Sequence, residues 1–241
     1  MGRSLMKTIR TFALGRSLML LLALALGSLL TPASLHGHSW SMPLEFTPPA
    51  PGTYELPVIK AASDGEVLDS TGATHRLFDY LDGKIVLLSF IYSRCGDARG
   101  CPLATVVLHA TAEALQRDLA LARQVRLLSL SFDPEHDTPD VMQRYASGHA
   151  KVEGHAPGAP SWHRLTTSSP QTLQPILDGY GQYIQPILDA HGGFTGTYSH
   201  VLKVFLIDRH RQVRNIYSVD FLHPEVVIND IKTSLMAEGS M

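Results

Sequence analysis

Beyond its N-terminal segment the chain shows two kinds of hydrophobic pattern. An apolar run at residues 84–91 predicts a strand buried on both faces, and residues 125–132 predict a second buried strand. Between them Val106, Leu108, Ala112, Leu115 and Leu119 recur at helical spacing, and Pro102 suits a first turn, so residues 102–122 predict a helix. Thr138-Pro139-Asp140 opens a further helix through Tyr145, with Thr138 as N-cap. A strand–helix–strand–helix order implies parallel strands joined by a crossover. A loop of Gly, His, Ala and Pro follows at 147–160, then a short strand at 162–165 and a helix at 170–183. Residues 201–208 and 212–217 predict an antiparallel hairpin turning at Arg209-His210-Arg211. A closing helix spans 224–236, with Val226, Val227, Ile231 and Leu235 inward. Parallel strands, a hairpin and a terminal helix make a thioredoxin-like α/β order: a central mixed sheet flanked by helices.

The first 33 residues differ from the rest. Arg3, Lys7, Arg10 and Arg16 are accompanied by no acid, and an apolar stretch from Leu18 to Leu26 follows, shorter than the roughly 20 residues of a membrane span. Small residues at Thr31 and Ala33 predict cleavage after Ala33; an uncleaved anchor is the alternative, and either puts the domain outside the cytoplasm. The expected divisions are 1–33 as signal or anchor, 34–57 as a Pro-rich tether and 58–241 as one domain. Cleavage at Ala33 would start the chain Ser34-Leu35-His36, whose α-amine, amides and imidazole form a square-planar set for Cu(II) or Ni(II).

Composition excludes several classes. With 44% hydrophobic and 17% charged residues and a net charge of −2, the chain is an ordinary globular protein. Residues 1–33 hold four basic residues and no acid, so the remainder is mildly acidic and lacks the footprint that nucleic acid requires.

The chemistry centres on the two cysteines, Cys95 and Cys101, where the first central strand hands over to its helix. Such a pair in an exported protein has three readings: a structural disulfide, a redox dithiol or half of a metal site. Closing a five-residue loop constrains little of the unfolded chain, which argues against a purely structural bond. Cys101, at a helix N-terminus, is expected to favour the thiolate. The loop must bulge to bring the sulfurs together, and Gly96 and Gly100 would permit that. Of the twelve histidines, His75, His109, His136, His149, His155, His163, His191, His210 and His223 show no paired spacing and read as surface or loop residues. His200, just before the apolar run at 201–207, stands where a thioredoxin-like fold brings a strand start against the cysteine loop. Asp133 and Asp137 read as turn-forming and capping residues on the same edge.

Phe90-Ile91-Tyr92-Ser93-Arg94-Cys95, Cys101-Pro102, the stretch Asp133-Pro134-Glu135-His136-Asp137-Thr138-Pro139, and His200 before an apolar strand together resemble the Sco/SenC family, over about residues 52–236. The resemblance implies a thioredoxin-like protein at the outer face of an energy-transducing membrane, hence a periplasmic location, tethered to the inner membrane if the leader stays. It implies copper ligands at Cys95, Cys101 and His200, copper held as Cu(I) or Cu(II), and delivery to the copper-accepting subunit of cytochrome c oxidase. Thiol–disulfide exchange with that subunit, served by a thioredoxin-like reductant, is the other implied activity. Five residues separate the cysteines where the family usually has three, and Ser199 replaces the Asp that often precedes the histidine. The rival readings are a metal-free thiol–disulfide reductase using Cys95 and Cys101, and a sensor domain with a structural disulfide. His200 separates the first rival from a copper protein, because a dithiol reductase does not require it.

Overall fold

The computed structural model describes residues 44–149 and 159–239. The expected signal segment, its cleavage site and His36 lie outside these residues. No helix among the described residues is long and apolar enough to cross a membrane.

A six-stranded mixed sheet is the frame, in the order β1-β10-β9-β4-β5-β6. Its strands are β1 (Lys60–Ala61), β4 (Ile85–Ile91), β5 (Val125–Ser131), β6 (Ser161–Leu165), β9 (Val204–Ile207) and β10 (Gln212–Tyr217). The central strand β4 is buried at all seven positions, as an apolar run covered on both sides must be. It runs parallel to β5, with Ile85 opposite Val125, and antiparallel to β9, with Ser89 opposite Val204. Its side chains alternate between two cores. Val86, Leu88 and Phe90 face α1 (Leu77–Leu81) and α5 (Pro170–Tyr180), together with Met142 of α4 (Pro139–His149). Ile85 and Leu87 face α2 (Cys101–Leu115), α3 (Leu119–Ala122) and α6 (Pro224–Ala237). The result is the expected mixed sheet flanked by helices. Two small hairpins stand apart from it: β2 (Glu66–Leu68) with β3 (Thr74–Arg76), and β7 (Ile184–Leu188) with β8 (Phe194–His200).

Several expectations need correction. The helix expected at 102–122 is two helices, because the Asp118 carboxylate accepts the Leu121 N–H and starts a new turn. Its buried face is Leu103, Ala104, Val107, Leu108 and Leu115, whereas Leu119 is 45% exposed. The helix expected to reach residue 183 ends at Tyr180, where Gly181 takes the left-handed conformation (φ +66°). The strand expected at 201–208 shortens to β9, and Val201 is 62% exposed.

The described part of the expected tether does not hang free. Leu56 is buried, the Gly52 N–H donates to Thr233 Oγ1 at 3.0 Å, and the Tyr54 hydroxyl donates to Asp230 on α6. Tyr217 and Asn215 of β10 also donate to Asp230, both at 2.7 Å, so one buried carboxylate joins the leading segment, the sheet and the last helix.

Candidate metal centre

The mixed topology brings three distant segments to one edge. Strands β4 and β5 are parallel, so the loops that follow them leave the same end of the sheet. Strand β9 is antiparallel to β4, so the chain enters it at that end as well. Cys95 follows β4, Cys101 opens α2, and His200 ends β8 just upstream of β9. Their ligand atoms all lie within 4.8 Å of one another, and Cys101 Sγ is 3.5 Å from His200 Nε2. His200 was expected at the head of a central strand; it closes a separate hairpin instead, and still meets the sulfurs.

The cysteine loop is built from two tight turns. The Cys95 N–H donates to the Tyr92 carbonyl at 3.2 Å, and the Gly100 N–H to the Asp97 carbonyl at 2.9 Å. The Asp97 carboxylate accepts the Arg99 N–H at 2.9 Å, fixing the extra length of the loop. Of its two glycines Gly100 is the more closely packed, since a Cβ there would stand 3.3 Å from Cys95 Sγ; one on Gly96 would meet nothing within 4 Å. Neither cysteine is in a disulfide here; Cys101 is buried and Cys95 half-buried.

Cys95, not Cys101, carries the thiolate, which corrects the sequence-based expectation. The Cys101 thiol donates to Cys95 and is the largest influence holding the Cys95 pKa down at about 5. Burial opposes this, while the backbone N–H groups of Cys101 and Asp97 and the nearby His200 favour the charged form. The first N–H of α2 is therefore aimed at the Cys95 sulfur, so the helix-start field acts on that atom. Cys101, donating to that thiolate and desolvated, is pushed up and stays protonated.

Around the sulfurs the Asp-Pro-Glu-His-Asp stretch ties loops together, a larger role than turn formation and capping. Asp137, fully buried, accepts the Ser93 N–H at 2.8 Å and the Ser131 hydroxyl at 2.6 Å, together with the Ser93 hydroxyl. It also meets His136 Nδ1 at 2.8 Å. Asp133 pairs with Arg94 Nη2 at 2.7 Å and accepts the Tyr198 hydroxyl at 3.1 Å. Burial and the Asp133 charge together keep the Tyr198 phenol protonated. Asp133, His136 and Asp137 are themselves close enough to hold an ion, but every carboxylate oxygen already takes a donor, so their chemistry is that of a brace.

Other histidines also depart from a surface reading. His109 is buried in α2 with its ring 4.7 Å from Trp162. His163 packs on Tyr80 at 4.9 Å, and burial pushes its pKa down. His223 accepts the Glu225 N–H and caps α6. Tyr198 and the β7–β8 hairpin had no signal in the sequence, because Pro186, Gly192, Gly193 and Gly196 interrupt any two-residue alternation.

Two sulfurs and one imidazole nitrogen form a soft, low-coordinate donor set, suited to Cu(I) rather than to a four-ligand structural zinc. Fold and site together define a thioredoxin-like domain whose two cysteines and one histidine are placed to bind a metal ion. The SCO1/SenC family model matches residues 64–236, and the chain belongs to that family. Solved structures share the fold. Bradyrhizobium japonicum ScoI with copper bound matches with a TM-score of 0.57 and 24% identity, over 73% of this chain and 99% of that one. Apo Sco1 from Thermus thermophilus matches with a TM-score of 0.57 and 27% identity, over 75% and 94%. Yeast Sco1 matches with a TM-score of 0.59 and 19% identity, over 73% and 98%. A search of curated proteins found no match.

Proposed function

We propose that this protein is an exported copper metallochaperone that assists maturation of the copper centre of a respiratory cytochrome c oxidase. The observation that carries the reading is the meeting of Cys95 and Cys101, from one loop, with the distant His200, their ligand atoms within 4.8 Å of one another. Family membership supports it, as does the likeness in fold to a Sco protein solved with copper bound. The basic and apolar leader at residues 1–33 supports export to the periplasm. Copper is the cargo: the two sulfurs and Nε2 hold it, and the half-buried Cys95 is the side from which the copper-accepting subunit would take it.

Titration of the reduced protein with a Cu(I) complex tests the reading. One copper per monomer is expected. Cys95→Ser and Cys101→Ser should each abolish stable binding, because one thiolate and one imidazole leave the ion under-coordinated. His200→Ala should weaken binding without unfolding the domain. No transfer to the wild-type protein would overturn the proposal. Fusion of the full chain to a reporter active only outside the cytoplasm tests export, and an inactive fusion would refute it.

The Cys95 thiolate beside a protonated Cys101 favours a second reading, thiol–disulfide reduction. Cys95 would attack a disulfide of the acceptor and form a mixed disulfide, releasing one acceptor thiol. Cys101, losing its proton, would displace the other, leaving a Cys95–Cys101 disulfide and a reduced acceptor. A thioredoxin-like reductant would restore the pair. Acceptor reduction that survives His200→Ala with no bound copper would favour this reading.

A further inference from the structure

His200 shares its strand with Tyr198. Strands β7 and β8 form a two-stranded sheet of their own, so the register of the central sheet does not position His200. Along β8 the burial alternates: Gly196, Tyr198 and His200 are partly buried, while Thr195, Thr197 and Ser199 are exposed. Side chains two apart share a face, so Tyr198 and His200 turn to the body together. They pack on the same two rings. Tyr92 lies 5.4 Å from Tyr198 and 5.7 Å from His200, and Phe132 lies 5.6 Å and 5.1 Å away.

The Tyr198 hydroxyl adds a directional link. It donates to Asp133 Oδ1 at 3.1 Å, and Asp133 Oδ2 accepts Arg94 Nη2 at 2.7 Å. Arg94 directly precedes Cys95, so this clasp runs from the hairpin to the cysteine loop. Gly196 leaves room for it: its φ is +80°, and a Cβ there would stand 3.2 Å from Arg94 Nη1.

The geometry points to Tyr198 as a positioning residue for His200, locking the imidazole against Cys95 and Cys101 through Asp133 and Arg94. This rests on the copper reading and adds to it what holds the nitrogen ligand in place. Aromatic packing is only weakly directional, and the clasp adds a directional hydrogen bond that would hold the strand, and with it the ring, against the sulfurs.

Copper loading of the full protein tests it, by competition for Cu(I) with a chromophoric chelator and by electron paramagnetic resonance after adding Cu(II). Tyr198→Phe keeps the ring and removes only the hydroxyl. It should retain one copper and the sulfur-to-copper charge-transfer band, show weakened nitrogen hyperfine splitting, and bind Cu(I) about tenfold less tightly. Arg94→Gln, which breaks the clasp from the cysteine side and leaves every ring in place, should do the same. In the His200→Ala background, Tyr198→Phe should add nothing, since it acts through the imidazole. Tyr54→Phe, which removes a different tyrosine hydroxyl bond, should leave the copper signals unchanged. Wild-type nitrogen coupling and affinity in Tyr198→Phe and Arg94→Gln, or a full additional loss on top of His200→Ala, would overturn the positioning role alone. A wild-type protein that takes no copper would overturn the metallochaperone reading and this role with it.

Discussion

Two cysteines six positions apart have opposite acid–base characters because the Cys101 thiol donates to Cys95, which favours charge on Cys95 and keeps the proton on Cys101. Cys95 receives the Cys101 thiol and two backbone N–H groups, which brings its pKa to about 5. Iodoacetamide should therefore label Cys95 in reduced, metal-free protein at a rate that rises around pH 5 and is flat through neutrality. Cys101 should react only after denaturation, as mass spectrometry of the labelled peptides would show. The same asymmetry ties stability to pH. Between about 5 and the ordinary thiol value near 8.5, the unfolded chain holds a proton at Cys95 that the native state has lost, so stability rises with pH across that window. It is lost as pH falls through about 5. Above about pH 8.5 the sign reverses, because unfolding lets Cys101 ionise and the native state does not. Melting temperatures of reduced protein should trace the rise and the fall, and Cys95→Ser should remove the rise.

Among the elements, α5 is seated where two side chains are missing. A Cβ on Gly179 would lie 1.9 Å from Ser63 Oγ, and one on Gly65 would lie 2.3 Å from Ile176 Cγ1. The helix and the stretch leading into β2 therefore touch backbone to side chain at two points. Alanine is the better helix former by about 1 kcal/mol, which by itself would make Gly179→Ala stabilising. The overlap with Ser63 outweighs that preference, and urea unfolding should show a loss of about 1–3 kcal/mol. Tyr180, at the end of the same helix, packs on Phe90 at 5.5 Å and Phe205 at 5.1 Å. Displacing α5 therefore disturbs β4, the strand from which the cysteine loop emerges.

At the scale of the whole molecule, Asp230 is the junction. It takes the hydroxyls of Tyr54 and Tyr217 and the Asn215 amide, joining residues from both ends of the described chain. Burial and this carboxylate push the Tyr54 pKa up to about 12, so the hydroxyl remains a donor throughout the physiological range. Tyr54→Phe is expected to cost about 1 kcal/mol. Removing residues 1–57 should cost more, since it also uncovers the apolar face where Leu56 packs on the α2–α6 side of the sheet. Thermal denaturation of the two variants against the full protein measures both. Equal melting temperatures for all three would mean that the segment before β1 acts only as a tether.

What could be read from the sequence was what neighbouring residues decide. The mostly apolar stretches at 85–91 and 125–131 specify buried strands, because a strand covered on both faces needs apolar side chains on each. A cysteine at the end of one such run and another before a proline at a helix start mark the reactive edge. His200 could be named as the residue that meets the two sulfurs, although its supporting strand was misplaced. What required the fold was set by partners far apart in the chain. Which sulfur is charged depends on where the first turn of α2 points. Asp133 acts as a clasp because Arg94, 39 residues before it, and Tyr198, 65 residues after it, both reach its carboxylate. His109 is a core residue because Trp162 lies over it. Local pattern selects strands, helices and the residue types able to bind a metal. The charge and position of each donor come from hydrogen bonds and burial that exist only once the β4, β5 and β9 ends have been brought together.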